Sequence, residues 1–136
     1  MAESRTHQIL VERLVQWMQR NISSSDSAVL LVDSPTTAVG NKPPAISGYN
    51  PDVFCRPIGG EHVLIGEAKT AGDIETKHSR DQFRAFLVYL KQGQSGTLVV
   101  AVPWHAVGQV ISLIRFLQRE TDTMGVKTVF LDKLPG

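Results

Sequence analysis

Apolar residues along the chain follow two kinds of spacing, one typical of helices and one typical of strands. Three segments repeat apolar residues every three or four positions, which predicts helices over residues 4–21, 79–93 and 104–119. Five shorter apolar runs predict strands over residues 28–33, 49–55, 62–69, 97–102 and 126–131. The predicted order is α-β-β-β-α-β-α-β, which indicates an α/β fold with a central mixed sheet flanked by helices.

The polar segments between these elements predict how the elements begin and connect. Ser4 or Thr6 is expected to cap the first helix, and Ser79 the second. Residues 34–47 collect Pro, Gly and Asn without any period, so we expect a long mobile loop there. Residues 56–60 contain Pro and two Gly, so the strands on either side are expected to pair as an antiparallel hairpin.

Composition limits the class of protein. At 136 residues, with 42% hydrophobic and 20% charged residues, the chain is expected to be one globular domain. Because no apolar run approaches the ~20 residues that span a bilayer and we recognise no signal peptide, we expect a cytoplasmic protein without membrane contact. The net charge of +1 requires any polyanion site to be local. The single cysteine, Cys55, is expected to be a buried, unreactive thiol.

Three charged residues lie on the predicted hairpin. Glu67 and Lys69 project from the same face of one strand, while Ala68 between them points into the opposite layer. A turn centred near Gly59 places Asp52 roughly opposite Glu67, where paired Cβ atoms are about 4.5–5.5 Å apart. Carboxylates this close favour a divalent cation such as Mg²⁺, with the backbone carbonyl of Ala68 as a further ligand. Lys69 would then orient or deprotonate a bound water or meet charge on a phosphate.

A simpler interpretation of the same residues is purely structural. Asp52 would cap a turn after Pro51, while Glu67 and Lys69 would form a solvated pair on a polar face of the sheet. Residues 63–65 argue against this interpretation, because three consecutive apolar residues indicate a strand buried on both faces. Charged residues at the end of such a strand require a reason.

The pattern of Pro51-Asp52 followed by Glu67-Ala68-Lys69 at the end of an apolar strand resembles the PD-(D/E)XK nuclease superfamily, which includes many restriction endonucleases and Holliday junction resolvases. The resemblance covers roughly residues 4–102 and implies a restriction endonuclease-like αβββαβ core. Residues 103–136 would add a helix and a strand at the sheet edge. By this resemblance Asp52 and Glu67 bind the metal ion, and Lys69 positions or activates the attacking water.

The same resemblance gives roles to residues on the helix after the lysine strand. Many members carry a polar residue there, often Gln, and Gln82 lies on the flank of the apolar stripe, near enough to reach the site. An exposed helix glutamine is the alternative. Arg80 and Arg84 lie one turn apart and are candidates for contacts with a phosphate backbone, although a solvated face of mixed charge explains them as well.

The acidic residue expected on the first helix is not assigned to one position. Several resolvase-like members add a Glu from this helix, on the face toward the sheet. Glu12 lies roughly 150° from the centre of the apolar stripe and is therefore expected to face solvent. Glu3 and His7 fall on the inner face, where His7 is either a packing residue or a ligand.

The resulting prediction is a Mg²⁺-dependent deoxyribonuclease, with Mn²⁺ as a substitute, that hydrolyses DNA phosphodiester bonds as an endo- or exonuclease. A homodimer is expected, because cutting both strands of a duplex usually calls for two sites. The alternative is a catalytically inactive module of the same fold that binds nucleic acid or a partner protein.

Overall fold

The computed structural model describes residues 5–21, 28–33, 42–57, 62–93 and 95–133. The helices in chain order are α1 (Arg5–Asn21), α2 (Lys77–Gln92) and α3 (Val107–Thr121). The strands are β1 (Ala28–Val32), β2 (Val53–Pro57), β3 (His62–Ala68), β4 (Ser95–Pro103) and β5 (Lys127–Lys133). Short 3₁₀ turns cover Ala71–Asp73 and Trp104–Ala106. The helices and strands follow one another in the predicted order.

The five strands form one mixed sheet in the order β1-β2-β3-β4-β5. β1, β2 and β3 pair antiparallel, whereas β3, β4 and β5 run parallel. Because helical crossovers between parallel strands have one preferred hand, α2 and α3 pack on the same face of the sheet. The predicted α/β class with a mixed central sheet flanked by helices is confirmed. No helix in the described part of the chain is long and apolar enough to cross a membrane.

Apolar side chains fill a layer on each face of the sheet. The layer under α2 and α3 includes Phe83, Phe86, Leu87, Leu90, Val110, Ile114 and Leu117, and the layer under α1 includes Leu10, Val11, Leu14 and Met18. Along β3, Ile65 joins the first layer while Leu64 and Ala68 join the second. Glu67 and Lys69, in step with Ile65, therefore project toward α2.

Cys55 lies in the layer under α1 and is fully buried, as predicted. Burial raises the pKa of its thiol, so the reactive thiolate is disfavoured.

The start of one strand and the start of one helix were predicted incorrectly. β2 begins at Val53 rather than at residue 49, because Tyr49 instead exchanges main-chain hydrogen bonds of 2.8 and 3.0 Å with Ile46. The N-cap of α2 is Thr76 and not Ser79, since the Thr76 hydroxyl accepts the Ser79 N–H at 3.1 Å. Both errors occur at turns, because the hydrogen bonds of a turn cannot be inferred from the spacing of apolar residues.

The other ends differ by a few residues. The predicted third helix begins at Val107, because Trp104–Ala106 forms a 3₁₀ turn first. β4 and β5 extend beyond their apolar runs, since Thr97–Pro103 pairs in parallel with Lys127–Lys133, and Ser95 at the start of β4 pairs with His62 of β3.

The predicted mobile loop over residues 34–47 is partly built into the fold. Ile46 is buried in the core and begins a tight turn in which Ser47 and Gly48 have φ of 53° and 85°. This end of the segment is therefore anchored. Residues 34–41 lie outside the described residues, and so do residues 58–60 of the predicted hairpin connection at 56–60, whereas Arg56 and Pro57 belong to β2.

Close packing of α1 on β3 depends on Gly66. A Cβ at this position would lie 2.9 Å from Met18 Cε and 3.3 Å from both Leu14 Cδ2 and Val53 Cβ. We expect Gly66→Ala to lower the free energy of unfolding by about 1–3 kcal/mol, because the packed side chains of Met18, Leu14 and Val53 must rearrange to admit the methyl group. Denaturant unfolding measures this change.

Gly108→Ala in α3 is the matched control, since nothing lies within 4 Å of its added Cβ. That variant is expected to be unchanged or more stable by up to about 1 kcal/mol, because alanine favours helix. Equal stability changes for the two variants would contradict the packing account.

Candidate active site

The predicted carboxylate pair meets at one end of the sheet. β2 and β3 run antiparallel, so the start of β2 and the end of β3 lie at the same end of the sheet. Val53 pairs with Gly66, and the same register continued by one residue sets Asp52 opposite Glu67. The backbone at Asp52 is fixed by the Asp33 N–H, which donates to the Asp52 carbonyl at 2.8 Å. The opposition of Asp52 and Glu67 predicted from the sequence is confirmed.

The Asp52 carboxylate is oriented by groups from two other elements. The main-chain N–H of Ala68, at the end of β3, donates to Asp52 Oδ2 at 2.8 Å. His7 Nε2, from the first turns of α1, lies 3.4 Å from the same oxygen. The carboxylate is only 7% exposed, so these contacts replace hydration that burial removes.

Glu67 has a different environment from its neighbour. Burial raises the pKa of the Asp52 carboxyl, but hydrogen bonds from His7, Glu67 and the Ala68 amide outweigh it, so that pKa lies below its ordinary value. Burial and the Asp52 charge raise the pKa of Glu67 well above its ordinary value, and Lys69 offsets only part of this effect. The two carboxyl groups therefore differ, and Glu67 keeps its proton to a higher pH than Asp52 does.

One oxygen of Glu67 has no hydrogen-bond partner within the described part of the chain. Glu67 is 3% exposed, and its Oε2 atom is buried without a hydrogen bond to any described residue. Leaving a buried acceptor unpaired costs about 1–3 kcal/mol. Such an atom at the end of an otherwise apolar strand indicates a place where a further group completes the site.

Lys69 is held beside this pair by a residue of α2. Its ammonium Nζ donates to Gln82 Oε1 at 2.6 Å and lies 5.9 Å from the centre of the Phe83 ring. The main-chain N–H of Lys69 donates to Ala101 on β4 at 3.0 Å, which continues the strand pairing past β3. Lys69 and Gln82 are 8% and 5% exposed. The structure thus brings together Asp52, Glu67, Lys69 and Gln82.

The two arginines that were predicted to contact nucleic acid bind groups of the protein itself. Arg84 forms ion pairs with Asp81 at 2.8 Å and with Glu120 of α3 at 2.7 Å, and Arg80 donates to the Glu75 carbonyl at 2.8 Å. Contact of either arginine with a phosphate stays a prediction.

Of the candidates on the first helix, only one reaches the carboxylates in the part of the chain that the structure describes. Glu12 is exposed, as predicted, and Glu3 lies outside the described residues. His7 touches Asp52, and its inner-face position was the signal in the sequence for this contact.

The donors at the sheet edge fit a hard divalent cation. Mg²⁺ is held in proteins by one or two carboxylates, with water and substrate oxygens completing its shell. Asp52 and Glu67 supply two carboxylates, and the unpaired Glu67 Oε2 is an oxygen ligand of the required kind. Within the described ranges, no cluster of three or more His, Cys, Asp and Glu residues forms a fuller ligand set. Ligation by the Ala68 carbonyl stays a prediction.

Comparisons with protein-family models, with curated proteins and with solved structures found no significant match. Function must therefore be inferred from the residues of the site themselves.

The raised pKa of Glu67 predicts how stability depends on pH. Because the pKa of Glu67 is raised in the folded state, its contribution to stability is complete below the unfolded pKa, near 4.5, and is lost as pH rises toward the folded pKa. In EDTA, the unfolding temperature of the wild type should therefore fall more between pH 5 and pH 8 than that of Glu67→Gln. The lowered pKa of Asp52 acts below this window, since the ordinary pKa of this carboxyl group is 3.8.

Thermal unfolding of both proteins across that pH range measures the difference. Parallel pH profiles for the two proteins would show that the pKa of Glu67 is not raised in the folded state.

Proposed function

We propose that this protein is a metal-dependent nuclease of the PD-(D/E)XK type that hydrolyses DNA phosphodiester bonds at Asp52, Glu67 and Lys69. The observation that carries the proposal is the buried, unpaired Oε2 of Glu67 beside the Asp52 carboxylate. The observed αβββαβ order and the position of Lys69, held by Gln82 beside the pair, give further support. A structural ion pair alone would leave no buried carboxylate oxygen without a partner.

Each residue has a role that follows from its contacts. Asp52 and Glu67 would hold Mg²⁺ or Mn²⁺, and the Ala68 amide fixes the orientation of Asp52. When bound, the ion lowers the pKa of a water molecule and stabilises charge on the scissile phosphate. The Lys69 ammonium orients the attacking water or donates to the phosphate oxygens, where negative charge increases. Gln82 is a positioning residue, since its Oε1 accepts a hydrogen bond from the Lys69 ammonium.

Incubation of purified protein with supercoiled and linear plasmid DNA tests this function. We expect cleavage with Mg²⁺ or Mn²⁺ and none with EDTA. Nicking of supercoiled DNA indicates endonuclease activity, whereas shortening of linear DNA from its ends indicates exonuclease activity. Cleavage that persists in EDTA would contradict the proposal.

One observation favours the alternative of a catalytically inactive binding module. Asp52, Glu67 and Lys69 are each less than a tenth exposed, so a substrate reaches them only if neighbouring groups move. A folded protein that binds DNA or a partner protein but cuts none of the substrates, with either metal, would favour this alternative.

The predicted homodimer remains a proposal tied to cleavage of both strands. Sedimentation with and without DNA determines whether one or two chains form the active species.

The hydrogen bond between Gln82 and Lys69 leads to a prediction about catalysis. Replacement by methionine keeps the length of the side chain and removes the acceptor for Lys69. We expect Gln82→Met to lower kcat by about 10- to 100-fold with little change in KM for DNA, because the misplaced ammonium acts in the transition state. Steady-state cleavage of a labelled oligonucleotide measures both constants.

Gln109→Met is the control, since Gln109 is exposed on α3. A kcat for Gln82→Met equal to that of the control would show that Gln82 does not position Lys69 for catalysis.

A further inference from the structure

A groove of about 530 Å³ lies between the tight turn at residues 46–49 and the outer face of α2. Its lining on the helix comes from Asp81, Arg84, Ala85, Val88, Tyr89 and Gln92. These positions are spaced along one face of α2 and cover about 16 Å of helix. The volume is within the range of sites that bind small organic groups.

The lining of this groove combines two tyrosine rings with aliphatic side chains and a few polar groups. Tyr49 lines it from the turn and Tyr89 from the helix. The Tyr49 ring is steadied by the ring of His78, which lies edge-to-face at 5.4 Å and 62°. Val88 is 37% exposed on the groove, and Ser47 and Gln92 supply hydrogen-bonding groups. Flat apolar walls with a few polar groups are suited to a planar heterocycle.

The charges of the groove cancel. Its two charged lining residues, Asp81 and Arg84, form an ion pair at 2.8 Å, and Arg84 is paired again with Glu120 at 2.7 Å. A surface that binds a phosphate backbone carries an excess of positive charge, and this lining has none. A neutral base fits it better than a phosphate. An exposed cation lies at one end, where Arg56 Nη2 is 3.5 Å from the Tyr89 hydroxyl.

The chain itself keeps the groove near the proposed active site. Asp81 precedes Gln82, which holds Lys69, and Tyr49 lies three residues before Asp52, so the backbones of these lining residues lie within about 11 Å of site residues. A nucleotide chain that places one phosphate at Lys69 therefore brings a neighbouring base to the groove. We propose that this groove binds an unpaired nucleobase next to the scissile phosphate, so that the substrate carries a single-stranded segment. The inference rests on the proposed nuclease function for its orientation.

Binding in EDTA tests the groove without requiring catalysis. Fluorescence anisotropy compares a labelled oligothymidylate with an abasic oligonucleotide of the same length, at one fixed salt concentration. Wild type is expected to bind the oligothymidylate about 5- to 100-fold more tightly, the range for loss of base stacking on an aromatic ring. Tyr89→Leu should reduce this preference severalfold or more, and Val88→Glu should do the same by adding a charge to the groove.

Phe116→Leu is the matched control, because Phe116 is 52% exposed on α3 and outside the groove lining. It should bind both oligonucleotides as the wild type does. Unfolding temperatures of the three variants show that they are folded. Equal binding of the two oligonucleotides by the wild type, or a full preference in both groove variants, would overturn the proposal and favour a peptide as occupant.

The outcomes for the groove and for the nuclease can be separated. Metal-dependent cleavage without base-dependent binding would overturn the groove alone. Base-dependent binding without cleavage of any substrate would support the groove as a base-binding site and refute the nuclease proposal.

Discussion

Replacing Lys69 by methionine is expected to lower metal-dependent DNA cleavage by roughly 10²- to 10³-fold, the usual effect of removing a donor that acts on developing charge. Methionine keeps most of the length and apolar body of the lysine. The ammonium, which donates to Gln82 and lies 5.9 Å from the centre of the Phe83 ring, is lost. Single-turnover cleavage with saturating Mn²⁺ measures the chemical step separately from product release.

Two controls show whether the loss is chemical. Lys91→Met removes an exposed ammonium near the other end of α2 and should leave the rate unchanged. The Lys69→Met protein should still show a thermal shift with Mn²⁺, since the proposed ligands are intact. A Lys69→Met rate within a few-fold of wild type would assign the lysine a structural role.

Replacing Asp52 by alanine is expected to abolish stabilisation by divalent cations. A ligand present at a hundred times its dissociation constant stabilises the folded state by about 2.7 kcal/mol, which corresponds to a rise of about 5–10 °C in unfolding temperature for a chain of this size. Wild type should show a rise of this order with Mn²⁺. Asp52→Ala should show almost none, because Glu67 alone provides one carboxylate. Differential scanning fluorimetry across a Mn²⁺ titration measures both.

Asp132→Ala serves as the control for loss of an exposed carboxylate, and it should retain the full shift. Retention of the shift in Asp52→Ala would mean that the ion binds elsewhere. No rise in the unfolding temperature of the wild type with Mn²⁺ would contradict the proposed metal site.

The sequence pattern was sufficient to predict the parts of the site that lie on the paired strands. Strand alternation placed Glu67 and Lys69 on one face and Ala68 on the other, and the layers on the two faces of the sheet agree. The antiparallel register fixed Asp52 opposite Glu67, because the distance along each strand from the turn determines which residues meet. Local geometry governs both features.

Contacts between distant elements were not predictable in the same way. The 3.4 Å approach of His7 to Asp52 depends on how α1 lies across the sheet, and helical spacing indicates only the face on which His7 lies. Likewise, the turn between Ile46 and Tyr49 replaced the start of a predicted strand, because Ser47 and Gly48 adopt positive φ. The ion pair of Arg84 with Glu120 belongs to the packing of α2 on α3. Such contacts depend on tertiary structure.

The most direct test of the proposed site is a Mn²⁺ titration of DNA cleavage and of thermal stability in the same buffer. If Asp52 and Glu67 hold the ion that supports hydrolysis, both curves should rise over the same Mn²⁺ concentrations. Both should be absent in Asp52→Ala. Cleavage that proceeds in EDTA, or that Asp52→Ala retains at the wild-type rate, would contradict the assignment of a metal-dependent nuclease site to this edge of the sheet.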